Sequence, residues 1–303
     1  MASQGGADQR FRHFAAIDWS GAVGAHQRGI AIALCDNGDH GHAAPQIVRP
    51  GHVWTRADAL AWLRDELPHD TLVGMDLGIA LPFADTGAYF PGWDHSPTDA
   101  RALWEMVDQV ASADPHGAVT SFVDHPEIAR HFRRHGGRQG DMFTPGRGRM
   151  RVTERAQEAM GCKPYSNFNL IGAAQVGKSS LTGMRVLHRL NRKIPVWPID
   201  VGLADPLPPH GSMICEIYTT IAAMAAGRSA ARSKIRTAHE LDTALAVLDS
   251  QPCGYDGPID DHRSDAIITA AWLRRAAHDR ALWHPATMTE KIAVTEGWTF
   301  GAQ

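Results

Sequence analysis

Apolar residues run unbroken over Phe14-Ala15-Ala16-Ile17 and stop on Asp18, then again over Leu72-Val73-Gly74-Met75 and stop on Asp76. A short apolar run bounded by turn residues predicts a strand buried on both faces. Burying an unpaired carboxylate costs several kcal/mol, so each acid is expected where its strand opens to solvent or meets a cation. Between these runs, 29–34 predicts a second strand, closed by Asp36-Asn37-Gly38-Asp39, and 46–54 a third. Short connections favour an antiparallel meander of the three. Thr55-Arg56-Ala57-Asp58 opens a helix reaching Leu67, with Leu60, Ala61, Leu63 and Leu67 on one side. Strand, helix, strand in that order predicts that the Asp76 strand pairs in parallel through a right-handed crossover.

From Ala84 to Asn191 the pattern changes to frequent Pro, Gly and His with helical segments near 98–113, 126–134, 153–160 and 172–190. This stretch, 84–191, reads as a mostly helical insertion packed on the sheet of one domain spanning 1–303. Residues 194–199 predict a short strand, held to an edge by Pro195 and Pro198. Residues 212–218 predict another apolar strand with Glu216 inside it, and 239–248 a helix. The clearest helix is 260–277, polar at its start and then apolar at Ala266, Ile267, Ala270 and Leu273. The fold class is therefore α/β with a mixed sheet.

Composition adds little to this picture. The 303 residues carry 30 Lys+Arg against 33 Asp+Glu, a net charge of -3, so no global basic field marks a nucleic-acid binder, although a local groove can still be basic. The 4 Cys are far apart with no C-x-x-C pair and read as reduced thiols. The polar first residues lack the apolar core of a signal peptide, and no apolar run reaches a membrane span. A soluble, cytoplasmic protein without a membrane partner is expected.

Acids stand where the core pattern discourages them at Asp18, Asp76, Glu216, Asp261 and Asp265. Asp261 and Asp265 are four apart and share a helix face. Gathered carboxylates raise one another's pKa unless a cation neutralises them, and Mg²⁺ or Mn²⁺ suits an all-oxygen site. Two such ions can serve phosphodiester cleavage. Each acid also has a plainer role: Asp18 and Asp76 can begin turns, Glu216 can pair with a buried Arg, and Asp260 or Asp261 can cap a helix.

The segments Ala16-Ile17-Asp18-Trp19-Ser20-Gly21, Gly74-Met75-Asp76-Leu77-Gly78, Cys215-Glu216-Ile217-Tyr218 and Asp261-His262-Arg263-Ser264-Asp265-Ala266 carry a likeness. Together with the closing Glu296-Gly297-Trp298-Thr299-Phe300-Gly301, they resemble a bacterial family of unknown function described as predicted nucleases of ribonuclease H-like fold. The resemblance covers both ends and the middle strand and says little about 84–190. It implies a five-stranded mixed sheet flanked by helices, with acids at its centre. By analogy only, it implies a hydrolase: a metal-dependent nuclease with Asp18, Asp76, Glu216 and Asp265 as catalytic residues and Asp18, Asp76, Asp261 and Asp265 on Mg²⁺ or Mn²⁺. Nucleic acid is then the expected partner. One departure stands out: Arg263 occupies a position where an acid is expected, which either weakens cation binding or supplies a phosphate contact. A binding protein of the same fold without turnover is the alternative.

Gly172-Ala173-Ala174-Gln175-Val176-Gly177-Lys178-Ser179 satisfies the P-loop pattern, with Lys178 on phosphate oxygens, Ser179 on Mg²⁺ and Asp200 as a further acid. A P-loop nucleotide hydrolase is the third reading. Its context is poor, because Phe168-Asn169-Leu170-Ile171 is too short and polar for a core strand. His131 and His135, among Arg130, Arg133 and Arg134, read as a solvated basic face. Arg147, Arg149 and Arg151 read as an exposed loop, and Arg228, Arg232, Lys234 and Arg236 form a second basic cluster. Flanking the acids, these two clusters would position a phosphate backbone without reading sequence.

Overall fold

The computed structural model describes residues 10–38, 42–171, 176–204, 206–230, 234–255 and 259–303. The strands β1 (His13–Asp18), β2 (Ala31–Asp36), β3 (Gln46–Ile47), β4 (Thr71–Asp76), β5 (Val196–Trp197) and β6 (Met213–Glu216) form one mixed sheet in the order β3-β2-β1-β4-β6-β5. The first three strands pair antiparallel, whereas β4 runs parallel to β1, β6 to β4 and β5 to β6.

The resemblance implies five strands and the sheet has six, each of them expected from the sequence pattern. As expected from that pattern, β5 is short, with two residues, and lies at the edge, because Pro195 and Pro198 on either side have no N–H to extend its ladder. The third strand also shrinks from 46–54 to Gln46–Ile47. Arg49 and Gly51 beyond it take positive φ, and that turn ends the pairing.

Thr55 caps α1 (Arg56–Ala61) in a capping box with Asp58, after which the helix widens into a π turn over Trp62–Glu66. On the face of the sheet bearing Ala15, Ile17, Val73, Met75 and Ile214, the core continues into α2 (Ala100–Val110) and α6 (Val176–Arg189). The short helices α3 (Thr120–Val123) and α4 (Pro126–Ala129) contribute Phe122 and Ile128 to that cluster, and α5 (Val152–Ala159) follows. The opposite face, with Phe14, Ala16, Leu72 and Cys215, is covered by α7 (Thr219–Ala225), α8 (Ala238–Val247) and α9 (Asp261–Ala276). Helix α10 (Glu290–Thr295) and the closing Trp298 and Phe300 complete this second core. Gly74 sets how closely α9 approaches, since a Cβ there would lie 2.7 Å from Leu273 and Ile217 side-chain carbons.

Arg130, Arg133 and His135 are exposed as expected, but some other members of the two basic segments are not. His131 is 3% exposed against the Phe90 and Phe168 rings, and burial drives its pKa down to about 4, so it is a neutral core imidazole rather than part of a solvated face. Arg149 and Arg151 are buried too. Arg149 binds Asp85 and the carbonyls of Pro82, Ala88 and Tyr89, while Arg151 binds Glu154 and Glu216. A buried guanidinium needs its donors filled, so of the three arginines only the exposed Arg147, paired with Glu158, faces solvent. All four thiols are free, and no described helix is long and apolar enough to cross a membrane.

Candidate carboxylate site

Parallel pairing of β1 with β4 puts Asp18 directly beside Asp76, at the carboxyl ends of adjacent strands. By alternation both side chains follow Ala16 and Gly74 toward α9. That helix is capped by Asp260, whose carboxylate accepts the Arg263 N–H at 2.8 Å, and it brings His262 and Asp265 over the pair. His262 Nδ1 lies 2.8 Å from Asp18 Oδ2, and the Thr219 hydroxyl reaches Asp76 Oδ2 at 3.4 Å. Lys234 Nζ donates to Asp265 at 2.9 Å and lies 3.7 Å from Asp261, which also pairs with Arg236.

These groups perturb one another strongly. Burial is the largest influence on Asp76, and the charges of Asp18 and Asp265 add to it, so its pKa stands well above the usual carboxylate range. Burial likewise pushes Asp18 up to about 6, against the hydrogen bond and charge of His262. Asp265 is raised by burial despite Lys234 beside it. The hydrogen bond to Asp18 lifts His262, and the acids around Lys234 raise its pKa against the opposing effect of burial. Asp18 and Asp76 thus both feel the charge of Asp265, with little solvent to screen it.

Glu216 does not join them. Alternation along β6 turns it, with Ile214, to the other face of the sheet. There Arg151 donates to both oxygens at 2.8 and 2.6 Å, the Ile79 N–H at 2.8 Å, and the Thr299 hydroxyl also donates. Arg151 at the same time binds Glu154, so a buried triad takes up the acid. A cavity of about 330 Å³ above the ends of β4 and β6 nevertheless touches both Asp76 and Glu216, along with Trp19, Tyr165, Tyr218 and Lys234.

The P-loop residues Gly172–Gln175 lie outside the described residues. Residues 168–170, before them, are not a strand of the sheet; Asn169 makes an isolated bridge to Arg133. Gly177 lies in the first turns of α6, where a Cβ would stand 2.3 Å from the Asn167 carbonyl oxygen, so its lack of a side chain serves helix packing. Lys178 is half-buried, burial lowers its pKa, and it makes no ion pair among the described residues. Asp200 is taken up by Arg101 and the Val196 N–H.

Arg263 turns away from the acids to the Tyr255 hydroxyl at 3.0 Å and Asp260 at 3.5 Å, so the positive charge at the site comes from Lys234 instead. Of the second basic cluster, Lys234 and Arg236 reach the acids, Arg228 pairs with Glu240, and Arg232 lies outside the described residues. Sequence reasoning passed over His262, although it stands three residues before Asp265 and so shares its helix face. Among the described residues no three His, Cys, Asp or Glu side chains are drawn together as an assembled metal cluster. Comparison with family models, curated proteins and solved structures found no match.

Proposed function

We propose that this chain is a metal-dependent nuclease of ribonuclease H-like fold, hydrolysing phosphodiester bonds with Asp18, Asp76 and Asp265 as ligands of Mg²⁺ or Mn²⁺. The observation that carries the reading is the pairing of Asp18 with Asp76 in register, with Asp265 on the helix across from them. The antiparallel meander followed by parallel β4 and β6, with acids at its centre, agrees with what the resemblance implies about the fold. The donor set fits the ion: hard carboxylate oxygens, buried, in mutual repulsion and compensated by one ammonium group. When bound, such an ion supplies charge neutralisation and Lewis acidity at the scissile phosphate.

The protein's own groups divide the remaining work. His262 orients the Asp18 carboxylate, Lys234 and Arg236 offer positive charge to the phosphate backbone, and Glu216 holds the Ile79 backbone beneath the site. Single-stranded and duplex DNA and RNA, incubated with Mg²⁺ or Mn²⁺, test this. Cleavage is expected in the wild type, with loss in EDTA and in Asp76→Asn while thermal unfolding stays cooperative. Cleavage unaffected by Asp76→Asn contradicts the reading. One observation favours binding without turnover, the Lys234 ammonium seated on Asp265; that alternative predicts nucleic-acid binding that persists in EDTA and no cleavage with either ion.

A further inference from the structure

The cavity beside Asp76 has a composition that the carboxylates alone do not explain. Its wall includes three aromatic side chains, Trp19, Tyr165 and Tyr218. Trp19 is fixed, since its Nε1 donates to the Thr182 hydroxyl at 3.1 Å and it is 4% exposed. Tyr165 is the opposite case: a large ring 47% exposed at the cavity, with no hydrogen bond on its hydroxyl among the described residues. The Ser179 hydroxyl, also lining the cavity, donates no hydrogen bond among the described residues. Five charged groups border the same space: Arg151, Glu154 and Glu216, which are bound to one another, and Asp76 and Lys234. It lies at the carboxyl ends of parallel strands, where α/β sheets bind ligands.

An exposed aromatic ring beside a half-polar cavity matches a flat heterocycle, because every nucleobase offers a π face and stacks with little regard to sequence. A volume of about 330 Å³ is near the low end for small-ligand sites, roughly 300–1,000 Å³. An open cavity of that size matches one base with its sugar. We infer that the cavity takes one unpaired nucleotide of the substrate, its base stacked on Tyr165 and its phosphate toward Lys234 and Asp76. The protein therefore acts on single-stranded nucleic acid. This inference rests on the nuclease reading for its substrate class, but its test does not depend on cleavage.

Fluorescence anisotropy of a short labelled single strand and of the corresponding duplex, each in Ca²⁺ and in EDTA, measures it with the full chain. The single strand is expected to bind about tenfold tighter than the duplex in Ca²⁺. Tyr165→Ala should weaken single-strand binding about tenfold, the size of a lost base stack, and Tyr165→Phe should retain it. Circular dichroism melts check that each variant is folded. Equal or tighter binding of duplex, no binding of the single strand, or an unchanged affinity in Tyr165→Ala each overturns the inference. Tyr165-dependent binding without metal-dependent cleavage refutes the nuclease reading alone, whereas Asp76-dependent cleavage and equal binding of duplex refute the cavity inference alone.

Discussion

Asp18 and Asp76 stand side by side where water hardly reaches, and their ionisation is what the fold must tolerate at neutral pH. A carboxyl group raised in the folded state stabilises it below the ordinary value of 3.8 and loses that contribution as pH climbs through the folded value, about 6 for Asp18. Asp76 and Asp265 shift in the same direction. His262 does too: its contribution is full below 6.5 and is lost as pH rises through its elevated value. For Asp18 the shift is worth roughly 3 kcal/mol. Thermal melts across this window should show stability falling with rising pH, less steeply in Asp18→Asn and less steeply with Mn²⁺ present. Parallel slopes for wild type and Asp18→Asn would contradict the assignment. The two strand acids are visible in the sequence because uninterrupted apolar runs end on them. His262 is not, and Lys234 shows only as one member of a basic cluster, since a cation on a polar stretch has the same pattern as any solvated surface charge.

At the level of elements, two features determine the site: the approach of α9 to β4 over Gly74, and the Arg151 triad beneath the strand ends. The triad holds two carboxylates on one guanidinium, so removing Arg151 strands both acids in the core. Arg151→Met should cost about 3–5 kcal/mol in denaturant unfolding, the usual penalty for breaking a buried ion pair. Glu216→Gln should lower stability and cleavage together, whereas Asp76→Asn lowers cleavage and, by removing a buried charge, raises stability at neutral pH. A Glu216→Gln protein of wild-type stability without activity would return Glu216 to the catalytic set. The sequence could not separate these roles. In 212–218 apolar residues surround Glu216 on both sides, and a strand buried on both faces gives no alternation to say which way its acid points. Helix α9 and the parallel pairing of β4 were readable, because amphipathic periodicity and the crossover rule both act locally.

Across the whole molecule, the sheet separates two cores and leaves its candidate site at the carboxyl ends of β1, β4 and β6. A net charge of -3 conceals local pairing at the site, where Lys234 and Arg236 sit on Asp265 and Asp261 within a Debye length of Asp18 and Asp76. Residues 84–191 were hardest to read in the sequence. Their many prolines and glycines obscure periodicity, while the structure spends their aromatic residues on the same core as β1 and β4. Of the P-loop lettering, 172–175 lie outside the described residues, and Gly177 packs against Asn167 with no sheet strand before it.

Mn²⁺ titration by calorimetry, wild type against Asp76→Asn with both proteins checked for folding, asks whether the strand acids hold a divalent ion. The wild type is expected to bind Mn²⁺ and Asp76→Asn to have lost that binding. Equal binding by the two proteins, or none by the wild type with a single-stranded oligonucleotide present to complete the site, would contradict that expectation.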